Sequence, residues 1–235
     1  LYAREDIVHP DGATGVIYEA GEQVATLTTD KNGQASVDGL YLGNYYVKEI
    51  TPPTGYLADE EEHDLVCNYE GDFVAEVKRD CLSLEQVMKQ PFEIIKAANN
   101  GKTDADLLKG AGFTAYLVSS LTVKEDGSYD FGSAKPVVIG ENGATEIFTD
   151  EKGYARSIAI PYGTYIVRET TTPHNYTPVN DFIVQITENH PTTPQVWGVL
   201  LDKEFEAKLK IIKQDDETKK AVLQKNTEFK IFNLD

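Results

Sequence analysis

Cysteine is scarce in this sequence, with Cys67 and Cys81 the only two among 235 residues. Two thiols fourteen positions apart are too few for a disulfide framework or a cysteine-rich metal cage. We therefore interpret both as unpaired cysteines, and a single disulfide between them is the alternative.

Positive charge is also scarce: 22 lysine and arginine residues stand against 39 aspartate and glutamate residues, a net charge of −17 at pH 7. A nucleic-acid backbone needs clustered lysine and arginine, so we expect no nucleic-acid partner. No apolar run approaches the length of a membrane span, so we expect no membrane insertion. Any signal peptide and wall-anchoring signal of a parent protein are expected to lie outside residues 1–235.

Short apolar runs separated by turn residues are abundant, with 18 glycines and 10 prolines among the turns. This pattern is typical of an all-β chain. A helical turn is predicted only at 83–90. In the central part of the chain we predict strands near 91–97, 112–119, 135–139, 144–148, 155–160, 164–170, 181–187 and 195–212. So many short strands in about 120 residues favour a two-sheet sandwich, either transthyretin-like or immunoglobulin-like.

An internal repeat shows that one domain design is used twice. Residues 29–56 align without gaps on residues 149–176, and 11 of the 28 positions are identical. The identities concentrate in turn residues and on one face of a strand. They are Thr29/Thr149, Asp30/Asp150, Gly33/Gly153, Ala35/Ala155, Gly43/Gly163, Tyr45/Tyr165, Val47/Val167, Glu49/Glu169, Thr51/Thr171, Pro53/Pro173 and Tyr56/Tyr176.

A second repeat runs out of phase with the first. Residues 92–117 resemble 209–232: each has an apolar strand ending in lysine, a polar turn region, and a strand with alternating aromatic residues. Tyr2 matches Tyr116 at the end of that pattern. We therefore predict tandem β-sandwich domains: residues 1–86 without their first strand, a complete domain at 87–206, and the start of a third at 207–235.

Strand alternation places charged residues on apolar faces. A charge there is costly unless something on that face needs it. The lysine and the glutamate each recur in two copies. Their inward direction is therefore better explained by a shared structural role than by an error of strand assignment. The inward-facing sets are Tyr45, Val47 and Glu49; Tyr165, Val167 and Glu169; Phe92, Ile94 and Lys96; and Leu209, Ile211 and Lys213.

Two interpretations of the inward lysine and glutamate are open. One is a buried ion pair, or a lysine whose stem reaches out to water. The other adds an aspartate or asparagine side chain. Burial disfavours the charged forms of lysine and glutamate, so a neutral amine could attack the third group while the glutamate moves protons, forming an amide between first and last strands.

The motif G-x-Y-x-V-x-E-x-x-x-P-x-x-Y, at residues 43–56 and 163–176, together with the lysine-ending strands, resembles the Cna B-type or SpaA-type domains of Gram-positive surface proteins and pilins. The resemblance covers essentially the whole chain. It implies a prealbumin-like sandwich, which in this family is often closed by a self-formed Lys–Asn or Lys–Asp isopeptide bond.

The resemblance makes Lys96 the nucleophile and Glu169 the catalytic acid. The family's acceptor lies about eleven residues before the next lysine, and counting back from Lys213 gives Asp202. Alternation does not decide its orientation. Val196, Leu200 and Asp202 share one face, while the other carries the equally apolar Trp197, Val199 and Leu201.

The other copies are predicted to be incomplete sites. Glu49 has no matching lysine within the chain, and Asp80 is its candidate acceptor. Lys213 has no matching glutamate or acceptor. We therefore expect at most one cross-link of this kind, in the middle domain.

The function implied by the resemblance is a structural module of a stalk or pilus, extracellular and attached to the cell wall, with neighbouring domains of the array as partners. The alternative is an adhesin module that binds host matrix protein or glycan through loops, above all 120–148, or through aromatic faces. We expect no enzyme with turnover and no cofactor. The acidic run at 59–64 is interpreted as a solvated loop and not as a metal site.

Overall fold

The computed structural model describes residues 1–99, 106–205, 208–223, 225 and 227–232, without the side chains of residues 196 and 197. Short 3-10 turns occur at Val118–Ser120 and Glu141–Gly143. The strands are β1 (Tyr2–Ala3), β2 (Ile7–Val8), β3 (Val16–Tyr18), β4 (Gly43–Lys48), β5 (Tyr56–Leu57), β6 (Glu62–Cys67), β7 (Gln86–Val87), β8 (Lys89–Gln90), β9 (Phe92–Asn99), β10 (Gly112–Leu117), β11 (Thr122–Val123), β12 (Tyr129–Asp130), β13 (Glu146–Phe148), β14 (Tyr154–Arg156), β15 (Ile160–Pro161), β16 (Gly163–Thr171), β17 (Tyr176–Thr177), β18 (Phe182–Ile186) and β19 (Gln195–Glu204).

The central part of the chain forms a sandwich of two four-stranded sheets. One sheet has the order β13-β10-β16-β18 and the other β14-β9-β19-β17. The inward residues of both sheets interdigitate in one core, with Phe92 and Ile94 from one sheet against Phe113, Tyr165 and Val167 from the other. The pairing of β9 with β19 is parallel, so the first and last strands of the sandwich lie side by side and run in the same direction.

The N-terminal part repeats three neighbouring strands of the first of these sheets, β10, β16 and β18. A three-stranded sheet has the order β1-β4-β6, and its Tyr2 lies opposite Tyr46 as Tyr116 lies opposite Ile166 in the central sandwich. The predicted match of Tyr2 with Tyr116 is therefore confirmed by the strand register, and so is the prediction of an all-β chain of tandem sandwiches.

The repeat extends to buried hydrogen bonds. The hydroxyl of Tyr45 donates to the backbone oxygen of Tyr41 at 2.7 Å, and the hydroxyl of Tyr165 donates to the backbone oxygen of Pro161 at 2.7 Å. Burial raises the pKa of both tyrosines to about 12. Each tyrosine thus fixes the loop that precedes its strand to the core, in the same way in both domains.

Two predictions about local structure are wrong, and a third holds only in part. The helical turn at 83–90 is instead β7 and β8, which pair with β5 and β15; a single helical turn is unstable alone, and strand partners satisfy the same backbone groups. Residues 135–139 are not a strand, although Val137 donates to the backbone oxygen of Ala115. The stretch 195–212, predicted to end one domain and to begin the next, is a strand only as far as Glu204 among the described residues.

The described residues hold neither a disulfide nor a helix with the length and hydropathy needed to cross a bilayer. Cys67 is half-buried in β6 and Cys81 is exposed, and both are free thiols. The structure does not join the two cysteines to each other, and the choice between unpaired thiols and a disulfide stays a prediction.

Gly153 has a tight contact with strand β9. Its φ of +65° is in the left-handed region, and a Cβ there would overlap the backbone oxygen of Lys96. Gly127 has a φ of +81° with open space around it. Gly127→Ala should cost about 1–2 kcal/mol for the left-handed conformation alone, whereas Gly153→Ala should cost about 1–3 kcal/mol more, because β9 must shift. Urea unfolding measures both, and equal losses would contradict this contact.

Candidate functional site

Lys96 is buried in the core of the central sandwich. It lies on β9 after Phe92 and Ile94, which face the same core, and none of its surface is exposed. Its Nζ lies 5.9 Å from the ring centroid of Phe113 on the facing sheet. A lysine amine with no access to water must find its partners inside the protein.

Glu169 comes from the facing sheet. Its side chain is fully buried, and its Oε2 lies 2.9 Å from the Nζ of Lys96. The same oxygen accepts a hydrogen bond of 3.0 Å from the backbone N–H of Val179. The carboxylate is therefore held from its own side of the sandwich and aimed at the lysine across the core.

Asp202 completes the cluster from β19, the parallel neighbour of β9. Its side chain is fully buried, and its Oδ1 accepts a hydrogen bond from the Nζ of Lys96. Leu200 packs against the core, while Val199 and Leu201 are 53% and 45% exposed. A β-bulge between residues 196 and 199 sets this alternation, so Asp202 faces inward. The side chains of residues 196 and 197 lie outside the described residues.

Burial changes the protonation of this cluster. It raises the pKa of Asp202 from 3.8 to about 6, an effect that Lys96 opposes and Glu169 reinforces. Glu169 Oε1 and Asp202 Oδ2 are buried and accept no hydrogen bond within the described part of the chain. A protonated Asp202 can donate a hydrogen bond to Glu169, and this bond contributes to its raised pKa. One ammonium, one carboxylate and one carboxylic acid also leave the buried cluster without net charge.

Comparison with protein families places this sequence in a known group. The family described as SpaA, a prealbumin-like fold domain, matches residues 10–80 and 91–198. The chain belongs to the SpaA prealbumin-like domain family. The first SpaA domain corresponds to the three-stranded unit, and the second to the sandwich that holds Lys96, Glu169 and Asp202.

The solved structures that match this chain include a protein of Bacillus anthracis and two pilins. The TIE protein of Bacillus anthracis is 26% identical over 76% of this chain, with a TM-score of 0.49, and the match covers 28% of its own length. The minor pilin GBS52 of Streptococcus agalactiae is 17% identical over 83% of this chain and 74% of its own, with a TM-score of 0.40. The shaft pilin SpaA of Lactobacillus rhamnosus GG is 19% identical over 83% and 74%, with a TM-score of 0.34. No curated protein gave a significant match.

In the first SpaA domain, Glu49 is held as Glu169 is in the second. Its Oε2 accepts a hydrogen bond of 2.7 Å from the backbone N–H of Asp59, ten residues on, which is the same separation as in the second domain. The candidate acceptor Asp80 is exposed and lies outside any strand, so the structure does not place it beside Glu49.

In the first SpaA domain, Glu85 occupies the position that corresponds to Asp202 in the second. Tyr56 pairs with Val87 as Tyr176 pairs with Glu204, so Glu85 stands two residues before its pair, as Asp202 does. The sequence held a signal for it, because eleven residues before Lys96 is Glu85, just as eleven residues before Lys213 is Asp202.

Lys213 lies in the partly described third unit. Its Nζ donates a hydrogen bond to Thr227 Oγ1. The residues predicted to share an inward face with it are exposed: Leu209 by 68% and Ile211 by 45%. No facing sheet covers this face among the described residues, so its inward direction stays a prediction.

The acidic run at 59–64 is only partly a loop. Residues from Glu62 onward belong to β6, where Glu62 and Asp64 bind Arg4 at 2.7 and 2.5 Å. His63 lies 2.8 Å from Asp59. No group of three ligands suited to a metal ion is found in the described part of the chain.

Removing the lysine should destabilise the domain, because two buried carboxyl groups are then left without their cation. Lys96→Met keeps the stem packing and should lower the free energy of unfolding by at least about 3 kcal/mol. The surface lysine of the Lys109–Glu151 pair provides the control, and Lys109→Met should cost less than about 1 kcal/mol.

The stability of Lys96→Met should also fall as the pH rises. The pKa of Asp202 is about 6 in the folded chain, against 3.8 in the unfolded chain, and removing Lys96 takes away a charge that lowers it. Its contribution is thus complete below pH 3.8 and is lost as the pH rises through the folded pKa. Urea unfolding at about pH 4.5 and pH 8 measures this; a variant more stable at the higher pH would contradict the arrangement.

Proposed function

We propose that this chain is a structural module of a Gram-positive cell-surface stalk or pilus, and that its second SpaA domain is closed by an isopeptide bond between Lys96 and Asp202. The contact of three wholly buried side chains from the first strand, the last strand and the facing sheet carries this proposal. In it the module is extracellular and wall-attached, with neighbouring domains of the same array as its partners.

The bond forms by condensation. Glu169 Oε2 takes a proton from the Lys96 Nζ, and the freed electron pair attacks Asp202 Cγ. A second proton on the nitrogen passes to the leaving hydroxyl through Glu169, the C–O bond breaks, and one water leaves. No oxidant or cofactor takes part. Protonated Asp202 is the reactive form of the acceptor, and its raised pKa of about 6 increases the fraction of that form near neutral pH.

The position of the bond suits a load-bearing module. It closes a loop of 106 residues, and the chain-entropy treatment used for disulfides gives about 4–5 kcal/mol for a loop of that size. The joined strands β9 and β19 also run parallel and side by side. Tension applied at the two ends of the domain would therefore pass through the amide and spare the sheets.

The intact mass tests the bond directly. The chain should weigh about 18 Da less than its sequence mass, because one water is lost per amide formed. Glu169→Gln and Lys96→Arg should restore the full mass, while the control Glu49→Gln should keep the deficit, since its domain has no buried lysine. Tandem mapping should find the 96 and 202 peptides joined. Full mass in a folded wild-type sample would reject the proposal.

A second candidate function, adhesion to host matrix or glycan, is favoured by one surface feature. Beside the β11–β12 hairpin, an open surface pocket of about 350 Å³ on the second SpaA domain is lined by Tyr129, Phe131 and Asp181. Arg168 stacks 4.0 Å from the centroid of Phe131 and binds Asp181 at 3.0 Å. An aromatic wall beside charged groups is a typical carbohydrate or peptide subsite.

Array binding separates adhesion from a spacer role. If the pocket binds, labelled wild-type protein should give saturable spots on glycan or matrix-protein arrays, and Tyr129→Ala should reduce them at least tenfold by removing the aromatic wall. The exposed Tyr69 is the control, and Tyr69→Ala should leave binding unchanged. A wild-type protein that binds nothing would leave the structural role alone.

A further inference from the structure

The second SpaA domain has an unpaired sheet edge. β18 is the last strand of its sheet, and within the described part of the chain no strand pairs with its other edge. The backbone oxygen of Gln185 accepts a hydrogen bond of 2.6 Å from the side chain of Gln195, so this oxygen points away from β16. Alternate residues of a strand point their backbone groups to the same side. The N–H and C=O of Ile183 therefore also point away from β16, where another strand can reach them.

The surface pocket lies beside this edge, on the outer face of the sheet. Ile166 and Ile183 pair across β16 and β18 and form its floor, and Tyr129 and Phe131 form its aromatic wall. Ile183 is 53% exposed. All the lining residues lie between positions 128 and 183, so the pocket is formed entirely by the interior of the second SpaA domain.

The pocket offers few polar groups to a ligand. The hydroxyl of Ser128 donates to Asp126 at 2.6 Å, and Asp181 Oδ1 accepts a hydrogen bond of 3.0 Å from Arg168 Nε. Asp181 Oδ2 accepts none within the described residues, and the side chain is 40% exposed. A sugar would leave most of its hydroxyl groups unpaired over the aliphatic floor. An apolar stem that ends in one positive charge is a better match, because it needs only this single carboxylate oxygen.

The charge around the pocket has the sign that such a ligand needs. Residues 122–131 contain three acids and one lysine, and the whole chain has a net charge of −17. Aromatic faces also attract cations, as the stacking of Arg168 at 4.0 Å from the centroid of Phe131 shows. A cationic partner is therefore attracted both by the overall charge and by the pocket itself.

We propose that β18 and the pocket beside it bind an extended cationic segment of another protein, which adds to the sheet antiparallel to β18. An arginine or lysine of this segment lies opposite Ile183, passes its stem over that side chain into the pocket and pairs with Asp181 Oδ2. This inference rests on the second candidate function, adhesion, and assigns its partner as a peptide strand instead of a glycan.

The spacing of strands explains why a long side chain is required. Neighbouring strands lie about 4.8 Å apart, so a side chain on the added strand must cross Ile183 before it reaches Tyr129 and Phe131. Lysine and arginine have apolar stems that can cover such a surface while the charged end remains at the rim. Main-chain bonds to β18 then supply affinity, and the pocket supplies specificity.

Binding of a short peptide tests the charge. A fluorescein-labelled peptide TVTRTVT, with one arginine among residues that favour extended backbone, should bind the full chain saturably in fluorescence anisotropy. The same peptide with citrulline in place of arginine keeps the shape and loses the charge. It should bind at least about tenfold more weakly, as expected for the loss of a charge-assisted hydrogen bond.

Methylation of the peptide backbone tests the pairing with β18. In the proposed register the arginine nitrogen faces the strand edge, whereas the nitrogen of the next threonine faces away from it. N-methylation of the arginine should weaken binding at least about tenfold, because it removes a hydrogen bond and adds a clash. N-methylation of the threonine gives an isomeric peptide, whose binding should change less than about threefold.

Two variants of the chain test the pocket. Asp181→Asn should weaken the arginine peptide at least about tenfold and the citrulline peptide less than about twofold, since only the arginine uses the charge. Glu141→Gln, an equal change of charge at an exposed residue of the same domain, should leave both unchanged. Equal binding of the arginine and citrulline peptides, equal effects of the two methylations, or equal effects of the two variants would overturn the proposal.

The array experiment separates this inference from adhesion in general. Glycan binding that Tyr129→Ala removes, by a chain that does not bind the peptide, would overturn the peptide partner and keep adhesion. A chain that binds neither the peptide nor the arrays would overturn both. The intact mass reports the isopeptide bond independently of either result.

Discussion

A positive charge buried in an apolar core is the constraint on which the second SpaA domain depends. The Nζ of Lys96 has no access to water, and its partners are the two buried carboxyls of Glu169 and Asp202. An isolated charge buried there would cost more than the whole free energy of unfolding of a typical domain. The three groups are tolerable only together, which is why each is held by a different strand with its position fixed by backbone pairing.

The sandwich supplies that arrangement through its topology. Parallel pairing of β9 and β19 puts Lys96 beside Asp202 although 106 residues separate them. The facing sheet brings Glu169 across the core, and its bond to the Val179 backbone aims the carboxylate. The chemistry proposed here therefore needs no mobile part. Folding itself brings the amine, the acid and the acceptor together in a dry site, which is the condition under which condensation is favoured over hydrolysis.

The two domains differ in the lysine-bearing strand, and comparing them shows which parts of the buried site that strand provides. They share the glutamate, its backbone donor and the tyrosine that fixes the preceding loop. Without a lysine strand between its edges, the first domain keeps Val47 and Leu65 half covered and leaves Glu85 exposed.

The sequence by itself determined the repeat, the β-sandwich class and the inward direction of Lys96 and Glu169, because strand alternation and turn residues are local properties of the chain. It did not determine the direction of Asp202, since a β-bulge shifts the alternation and both faces of β19 are apolar. Nor did it identify β7 and β8, whose strand form comes from partners far along the chain. Glu85 stands eleven residues before Lys96, as Asp202 stands before Lys213, but its equivalence to Asp202 in the strand register comes from pairing that only the tertiary structure decides.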